Sequence, residues 1–371
     1  METLSSMVTE NEKNEGVFLP FSKENLEGEL GKDFIDVLRM VAPGTSLRVA
    51  LDDFLNAKMG ALIVFDNGNL EQIIEGGFRV NTKFSAQKLV ELAKMDGAII
   101  LSKDGKEIQN VNTLLFPDIS IHTKETGTRH KAAERTAKQA KTLVLAVSER
   151  KNKISIYYGD ASYQLKRSSE VLRRASETLQ ILEKQRDVFD EFLSDLNSLE
   201  LRRHATINDV CVVLQRVEIM KRISDVVQRY LIELGKEGMI VKMRLKELMV
   251  GLEKEEELIL KDYFNQNHSS SLEILEKMDF DFLLEPMNIS RLLFEELHDK
   301  TISPRGVRLL GKTNLLDRYV DLLVGNFESF SEILIASNEE ILEVLESEAM
   351  LAFFREEIYS LKEKINLGKG L

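Results

Sequence analysis

The sequence predicts an α/β N-terminal domain with a central mixed β-sheet flanked by helices, then an all-α spine, then a small all-α C-terminal domain. Three observations predict it. Helical spacing alternates with short apolar runs over residues 31–160, apolar residues recur at sevenfold spacing from about Ser162, and the helical patterns become short after residue 272. The expected domains are 1–160, 161–285 and 286–371.

In the first domain, "KDFIDVLRMVAPG" reads as an amphipathic helix closed by a Pro-Gly turn, and "SLRVALDDFLNAKMG" as a second helix ending at Gly60. "ALIVFD" is a buried strand. "FSAQKLVELAKM" returns to helical spacing, "DGAIILS" is a strand, and "KDGK" is a hairpin turn leading into "EIQNVNTLLF". "KTLVLAVS" and "KISIYYG" are further strands joined by the polar turn "ERKN". In the spine, Leu165, Leu172, Leu179 and Leu193 form a heptad seam with Ala175, Leu182, Phe189 and Leu196, broken at Arg186. Such a seam fits either an amphipathic helix within one protomer or a coiled coil between protomers. "RRHATINDV" marks a break, the polar stretch "NQNHSSS" a loop, and "TISPRGVRLL" a turn entering a new helix.

The 371 residues are 43% hydrophobic and 30% charged, which is enough apolar content for two or three compact domains. A single cysteine, Cys211, excludes an intrachain disulfide and a thiolate metal cluster and fits a cytoplasmic setting. The opening "METLSSMVTENEKNEG" is polar and acidic, and no run of 18 apolar residues occurs, so neither secretion nor membrane spanning is expected. At a net charge of −12 the chain as a whole repels nucleic acid, and only a local patch can override that field.

One patch does. Residues 128–153 carry eight Lys or Arg against Glu134 and Glu149. For Arg135, Lys138 and Lys141 the expectation is a solvated cationic helix face. Thr128, Arg129, His130 and Lys131 differ, because they sit where a glycine-bearing turn meets a helix. There Thr128 is expected to cap, and the free first-turn amides form an anion site. Cations at that end oppose the helix dipole by a few tenths to about 1 kcal/mol each, and a bound polyphosphate reverses the sign. Arginine's planar fork suits phosphate, and histidine can donate to a phosphate oxygen or a leaving pyrophosphate. The second candidate is "KMDGAIILS", where Asp96 and Gly97 begin a strand. That dipeptide is common turn chemistry, but a carboxylate there, with glycine admitting a ligand to the backbone, also suits a metal-bound nucleotide. The sequence has no G-x-x-x-x-G-K-[ST], strand-linked G-x-G-x-x-G, G-x-S-x-G or H-E-x-x-H motif, and its remaining histidines, His122, His204, His268 and His298, are scattered.

Together "KMDGAIILS" and "ETGTRHKAAERTAKQAKTLVLAVSERKNKISIYY" closely resemble the diadenylate cyclase domain, with its Asp-Gly-Ala and Arg-His-Arg signatures. The order of cyclase, helical spine and small C-terminal domain resembles the DNA integrity scanning (DisA) family over nearly the whole chain. The resemblance implies condensation of two ATP into cyclic di-AMP with release of two pyrophosphates, using Mg²⁺ or Mn²⁺, in a homo-octamer whose cyclase domains meet face to face. It implies that Asp96 helps bind metal and activates the 3′-hydroxyl, that Gly97 and Ala98 lie against the nucleotide, and that Leu115 lines the adenosine pocket. Thr128, Arg129 and His130, followed by Lys131 and Ala132, would hold the triphosphate with Ser148 nearby.

The chain departs from that pattern. Lys131 stands at the third signature position, keeping the charge without the fork, and Ala132 stands where relatives often carry threonine. The family ends in a helix-hairpin-helix whose glycine-bearing hairpin binds branched DNA. Here "LEVLESEAMLAFFREEIYSLKEKI" occupies that place, no glycine falls between Gly325 and Gly368, and residues 302–371 hold eight basic and twelve acidic residues. Only Arg305, Arg308, Lys312 and Arg318 remain as candidate DNA contacts, so a degenerate domain with weakened or absent DNA binding is expected. The alternatives to an active cyclase are a DNA-structure-scanning scaffold with an attenuated nucleotide-binding domain, and a regulatory module that binds ATP without turnover. Intact Asp96, Arg129 and His130 favour the enzyme.

Overall fold

The computed structural model describes residues 34–264 and 267–367. The acidic opening segment and the first two residues of the first predicted helix lie outside the described residues. Residues 34–40 are helical (α1), and α2 (Ser46–Asn56) follows, capped by the Thr45 hydroxyl, which accepts from Arg48 N at 3.1 Å. Leu47, Ala50, Leu51 and Phe54 form its buried stripe.

The sheet comprises β1 (Ala61–Asp66), β2 (Ile74–Glu75), β3 (Phe78–Lys83), β4 (Ala98–Ser102), β5 (Glu107–Leu115), β6 (Leu143–Ser148), β7 (Lys153–Tyr158) and β8 (Ala161–Leu165). Its order is β2-β5-β4-β1-β6-β7-β8, with β3 also on β5. Among the described residues only β1 and β4 pair in parallel, so the sheet is mixed, as the sequence predicts. β1, β4 and β6 are near-continuous apolar runs because both their faces are covered. One face packs on α1, α2 and α3 (Ala86–Leu92). The other packs on α4 (Thr128–Ala140), through Ala133, Ala137 and Ala140 against Val144, Ala146 and Tyr157.

β3 and β8 are not expected from the sequence: they are short edge strands in which a few apolar residues alternate with polar, exposed ones, without the continuous apolar run that marks β1, β4 and β6. β8 corrects the expected start of the spine. Leu165 pairs with Ile154 as the last residue of β8, and the long helix α5 begins only at Ser168. The seam shifts with it: Leu172 is 38% exposed while Val171 is buried at 2%. Ala175, Leu179, Leu182, Phe189 and Leu196 of α5 (Ser168–Arg202) pack against Val210, Leu214, Val217 and Met220 of α6 (Ile207–Leu234) in one core. The Thr206–Asp209 capping box opens α6 after a four-residue reversal. The heptad seam is thus satisfied within one chain and offers no coiled coil for assembly. At the break, Arg186 donates to the carbonyls of Leu248 and Val250, both at 3.0 Å, closing the end of α7 (Met239–Met249).

After α8 (Leu252–Phe264), the stretch expected as a loop already belongs to α9 (His268–Lys277) from His268 onward. Then come α10 (Phe280–Leu283) and α11 (Pro286–Leu293), whose Ile289, beyond the expected boundary at 285, is fully buried in the spine core. A separate core centred on Leu309, Leu323, Phe330, Ile341 and Phe354 holds α12 (Val307–Leu310), α13 (Asp317–Asn326), α14 (Phe330–Ile335), α15 (Asn338–Leu345) and α16 (Glu348–Asn366). Gly306 is required at φ +104°, since a Cβ there would stand 2.8 Å from the Phe330 ring. Between α15 and α16 the left-handed residue is Glu346, an acid where glycine is usual.

Two of the four residual DNA cations, Arg308 and Lys312, are corrected here. Arg308 is fully buried and paired with Glu200 and Glu255, and Lys312 is paired with Glu255. Arg305 donates to the Val324 carbonyl, and Arg318 lies over the Tyr319 ring.

Candidate active site

Strand register gathers the sequence-predicted residues at one end of the sheet. Ile63 pairs with Ile99 in parallel, Ala61 with Val147, Ser148 with Lys153, and Ala98 with Thr113. Continued past the strand ends, these ladders place Gly60 between Asp96 and Ser148, with Leu115 two residues beyond Thr113 on the next strand. Leu115 is half-buried beside Ile74, on the face that α4 covers.

The N-terminus of α4 closes over this end. Its cap is Gly127, with no side-chain cap bond, and Thr128 is already the first helical residue. The expected Thr128 cap is therefore corrected: its backbone has entered the helix, where its hydroxyl no longer reaches back to the N2 and N3 amides. Lys131 N is the first amide bonded within the helix, to Gly127 O at 2.8 Å, so the amides of Thr128, Arg129 and His130 point out of it. They lie at the positive end of a three-turn dipole, which is a ready anion site.

From that end the Arg129 side chain crosses to β1. A Cβ on Gly60 would stand 2.0 Å from Arg129 Nη1, so the guanidinium rests where only glycine leaves room. Gly60, Met95, Asp96, Gly97 and Arg129 line one cleft, which brings the two sequence motifs together. Asp96 is exposed and its carboxylate takes no hydrogen bond or ion pair among the described residues. Gly97 has a structural reason besides the role expected of it. At φ +93° its Cβ would meet the β5 backbone, 2.9 Å from Asn112 C and Thr113 O, so the turn itself demands glycine. Ala98 is buried in the sheet; Lys131, Ala132 and Ser148 are half-buried around the helix start and the end of β6.

His130 is half-buried, its ring edge-on to Tyr157 with centroids 6.5 Å apart. Burial lowers its pKa; the Glu125 carboxylate pulls the other way, and Arg129 and Lys151 add to the lowering. In the free site these influences together favour the neutral imidazole.

The expected solvated cationic face is also corrected. Arg135 Nε donates to Ile121 O at 2.9 Å, and Lys138 Nζ to His122 O at 3.0 Å and to Glu134 Oε1 at 2.7 Å. Thr123 Oγ1 donates to the other Glu134 oxygen. Helical spacing put these side chains on one face, and the loop before the helix folds back over that face. They fasten the loop that delivers Gly127, leaving Lys141 exposed. The sequence assigns Gly60, Glu125 and Tyr157 no role in the site: Gly60 reads as a helix end, Tyr157 as part of a strand, and Glu125 as part of a turn.

Among the described residues no group of three His, Cys, Asp or Glu could hold a metal. Mg²⁺ needs no such cage, because it commonly uses one or two carboxylates with substrate phosphates and waters. Asp96, exposed and unpaired among the described residues across the cleft from the Arg129 guanidinium, fits that donor set. Gly60→Ala should leave the fold intact, since only the mobile end of Arg129 must move, but displace that guanidinium. Nucleotide affinity or turnover should fall about tenfold or more at an unchanged melting temperature.

Residues 48–162 match the family model described as DisA bacterial checkpoint controller nucleotide-binding, and residues 165–298 match its linker region. The DNA integrity scanning protein DisA of Clostridioides difficile is 41% identical over 322 residues, covering 84% of this chain and 90% of that protein. That of Acetivibrio thermocellus is 42% identical over 328 residues, with 86% and 91% covered. That of Clostridium acetobutylicum is 39% identical over 348 residues, with 92% and 98% covered.

Proposed function

The chain belongs to the family of the DNA integrity scanning protein DisA, and on that premise we propose that it is a diadenylate cyclase, joining two ATP into cyclic di-AMP. The observation that carries this reading is the shared cleft of Asp96 and Arg129 beside the amides of Thr128, Arg129 and His130, which have no partner within α4. Phosphoryl transfer asks a protein mainly for positioning and charge neutralisation, and these groups supply both.

In this reading each chain binds one ATP, its triphosphate on the amides of Thr128 to His130 and on Arg129, its adenosine toward Leu115. The 3′-oxygen of each nucleotide bonds to the α-phosphorus of the other, pyrophosphate leaves, and the hydroxyl proton departs toward Asp96 or water. Mg²⁺ or Mn²⁺, held by Asp96 and the phosphates, would lower the hydroxyl pKa and neutralise charge on the leaving group. One cleft holds half of this arrangement, so two copies must face each other, and the octamer implied by family resemblance would present such pairs. Lys131 keeps the local charge and Ala132 removes a hydroxyl, which attenuates the site without dismantling it. No helix among the described residues is long and apolar enough to cross a membrane, and the single cysteine fits a cytoplasmic setting. DNA binding in this chain is proposed to be weak.

The test is incubation of the purified protein with ATP and Mn²⁺ or Mg²⁺, followed by chromatography for cyclic di-AMP. Product should form with specific activity that rises with protein concentration, because the site is shared. No product under either metal overturns the reading.

A further inference from the structure

His130 has neighbours that the nucleotide itself does not require. Tyr157, on β7, is 1% exposed and donates its hydroxyl to Glu125 Oε1 at 2.7 Å. Its ring meets His130 edge-on, at 82° between planes. Glu125 precedes the α4 cap by two residues, and its own amide is held by Thr123 Oγ1 at 3.1 Å, within the latch formed by Glu134 and Lys138. The imidazole Nδ1 faces this turn, 3.8 Å from where a Gly127 Cβ would sit.

We propose that Glu125 and Tyr157 are positioning residues of the transfer site. The buried phenol holds both groups: its hydroxyl pins the Glu125 carboxylate and its ring lies edge-on to the His130 imidazole, so that the carboxylate is kept beside the ring when a triphosphate arrives. This inference rests on the cyclase reading.

A carboxylate in the turn that leads to a phosphate site repels the substrate unless it has another task, and three constraints point to that task. Tyr157 is rigid, since β7 is hydrogen-bonded on both sides, to β6 and β8. Its hydroxyl remains protonated, because burial and then the Glu125 charge raise its pKa, so it acts as a donor toward Glu125. Around His130, Arg129 on its own helix and Lys151 on the β6–β7 turn disfavour the imidazolium, and Glu125 opposes them. An arriving triphosphate adds negative charge, moves the balance further toward imidazolium and draws a proton onto the ring. The imidazolium then donates to the pyrophosphate oxygen as it leaves.

The test compares Glu125→Gln and Tyr157→Phe in the full-length protein. Titration of the His130 ring protons by NMR, assigned with His130→Asn, reads the imidazole directly, and cyclic di-AMP formation against pH reads its use. Glu125→Gln should move the His130 titration to lower pH, and the high-pH limit of kcat should move with it. Tyr157→Phe keeps the Glu125 charge, so the titration should stay in place while kcat falls about tenfold with KM for ATP changed less than about twofold. A purely structural role would lower the melting temperature and leave the pH profile unmoved. An unmoved His130 titration in Glu125→Gln, or wild-type kcat in both variants, overturns the proposal. If the wild type makes no product, the cyclase reading falls, while the Glu125→Gln titration still decides whether the carboxylate tunes His130.

Discussion

Asp96→Asn is expected to reduce cyclic di-AMP formation about 10³-fold or more, with melting temperature and assembly unchanged. The fold loses nothing by it. Asp96 is exposed, its carboxylate takes no hydrogen bond or ion pair among the described residues, and Gly97 rather than Asp96 carries the left-handed turn. Substitutions at such positions usually stay within about 0.5 kcal/mol. The site, by contrast, loses the anionic ligand that would share a cation with the phosphates, and asparagine cannot accept the hydroxyl proton. A single electrostatic group of this kind is worth about 10² to 10³ in rate, and here two tasks converge on it. The measurement is product formation beside thermal unfolding and ATP affinity. Parallel loss of fold and activity would make Asp96 structural, and unchanged turnover would remove it from the mechanism.

The same residue shows what could be read from the sequence. Asp96, Arg129 and His130 stand in short motifs because each is bound to a local backbone feature, a strand start or a helix start, and local features are legible without coordinates. That Asp96 and Arg129 share a cleft is a matter of register, thirty-odd residues apart, and depends on β1 lying between β4 and β6. Gly60 illustrates the difference. It ends a helix in the sequence, yet its cost to any larger residue comes from a guanidinium on α4. The strands of the first domain are plainest where they are buried on both faces, as in β1, β4 and β6, and faintest at β3 and β8, short edge strands whose few apolar residues alternate with polar, exposed ones and make no continuous run. The heptad seam gave the long helix but not its partner: a sevenfold apolar spacing shows that a stripe is buried, not whether the neighbour belongs to the same chain. Charge was least legible. Arg135 and Lys138 looked solvated and instead fasten a loop, while Arg308 looked like a DNA contact and lies wholly inside.

That last residue gives the second large effect. Arg308→Ala should destabilise the junction between spine and C-terminal domain by about 3 to 5 kcal/mol, the range for breaking a buried ion pair by removing one partner. Arg308 Nη2 donates to Glu200 Oε2 on α5 at 2.5 Å, and Nη1 to Asn197 Oδ1 at 2.5 Å and to Glu255 Oε1 on α8 at 3.0 Å. Tyr263 donates to the remaining Glu200 oxygen at 2.7 Å, and Lys312 shares Glu255 at 2.7 Å. Beside them Asp262 accepts the amides of Gly306, Val307 and Arg308, which seats the start of α12 on the spine. Alanine would leave Glu200, itself 1% exposed, without its cation. Arg308→Met fills the volume but not the charge, so it should recover only part of the loss. Thermal unfolding should show the drop, and limited proteolysis should release a fragment cut between the spine and residue 309. Because Arg308 and Lys312 spend their charge internally, neither can contribute a phosphate contact without unlocking the junction. Binding to a four-way DNA junction should accordingly be weak, and Arg308→Ala should not lower its salt dependence. A salt-sensitive, submicromolar affinity that falls in Arg308→Ala would place this arginine on the DNA, and a wild-type melting temperature in that variant would show that the buried network does not hold the domains together.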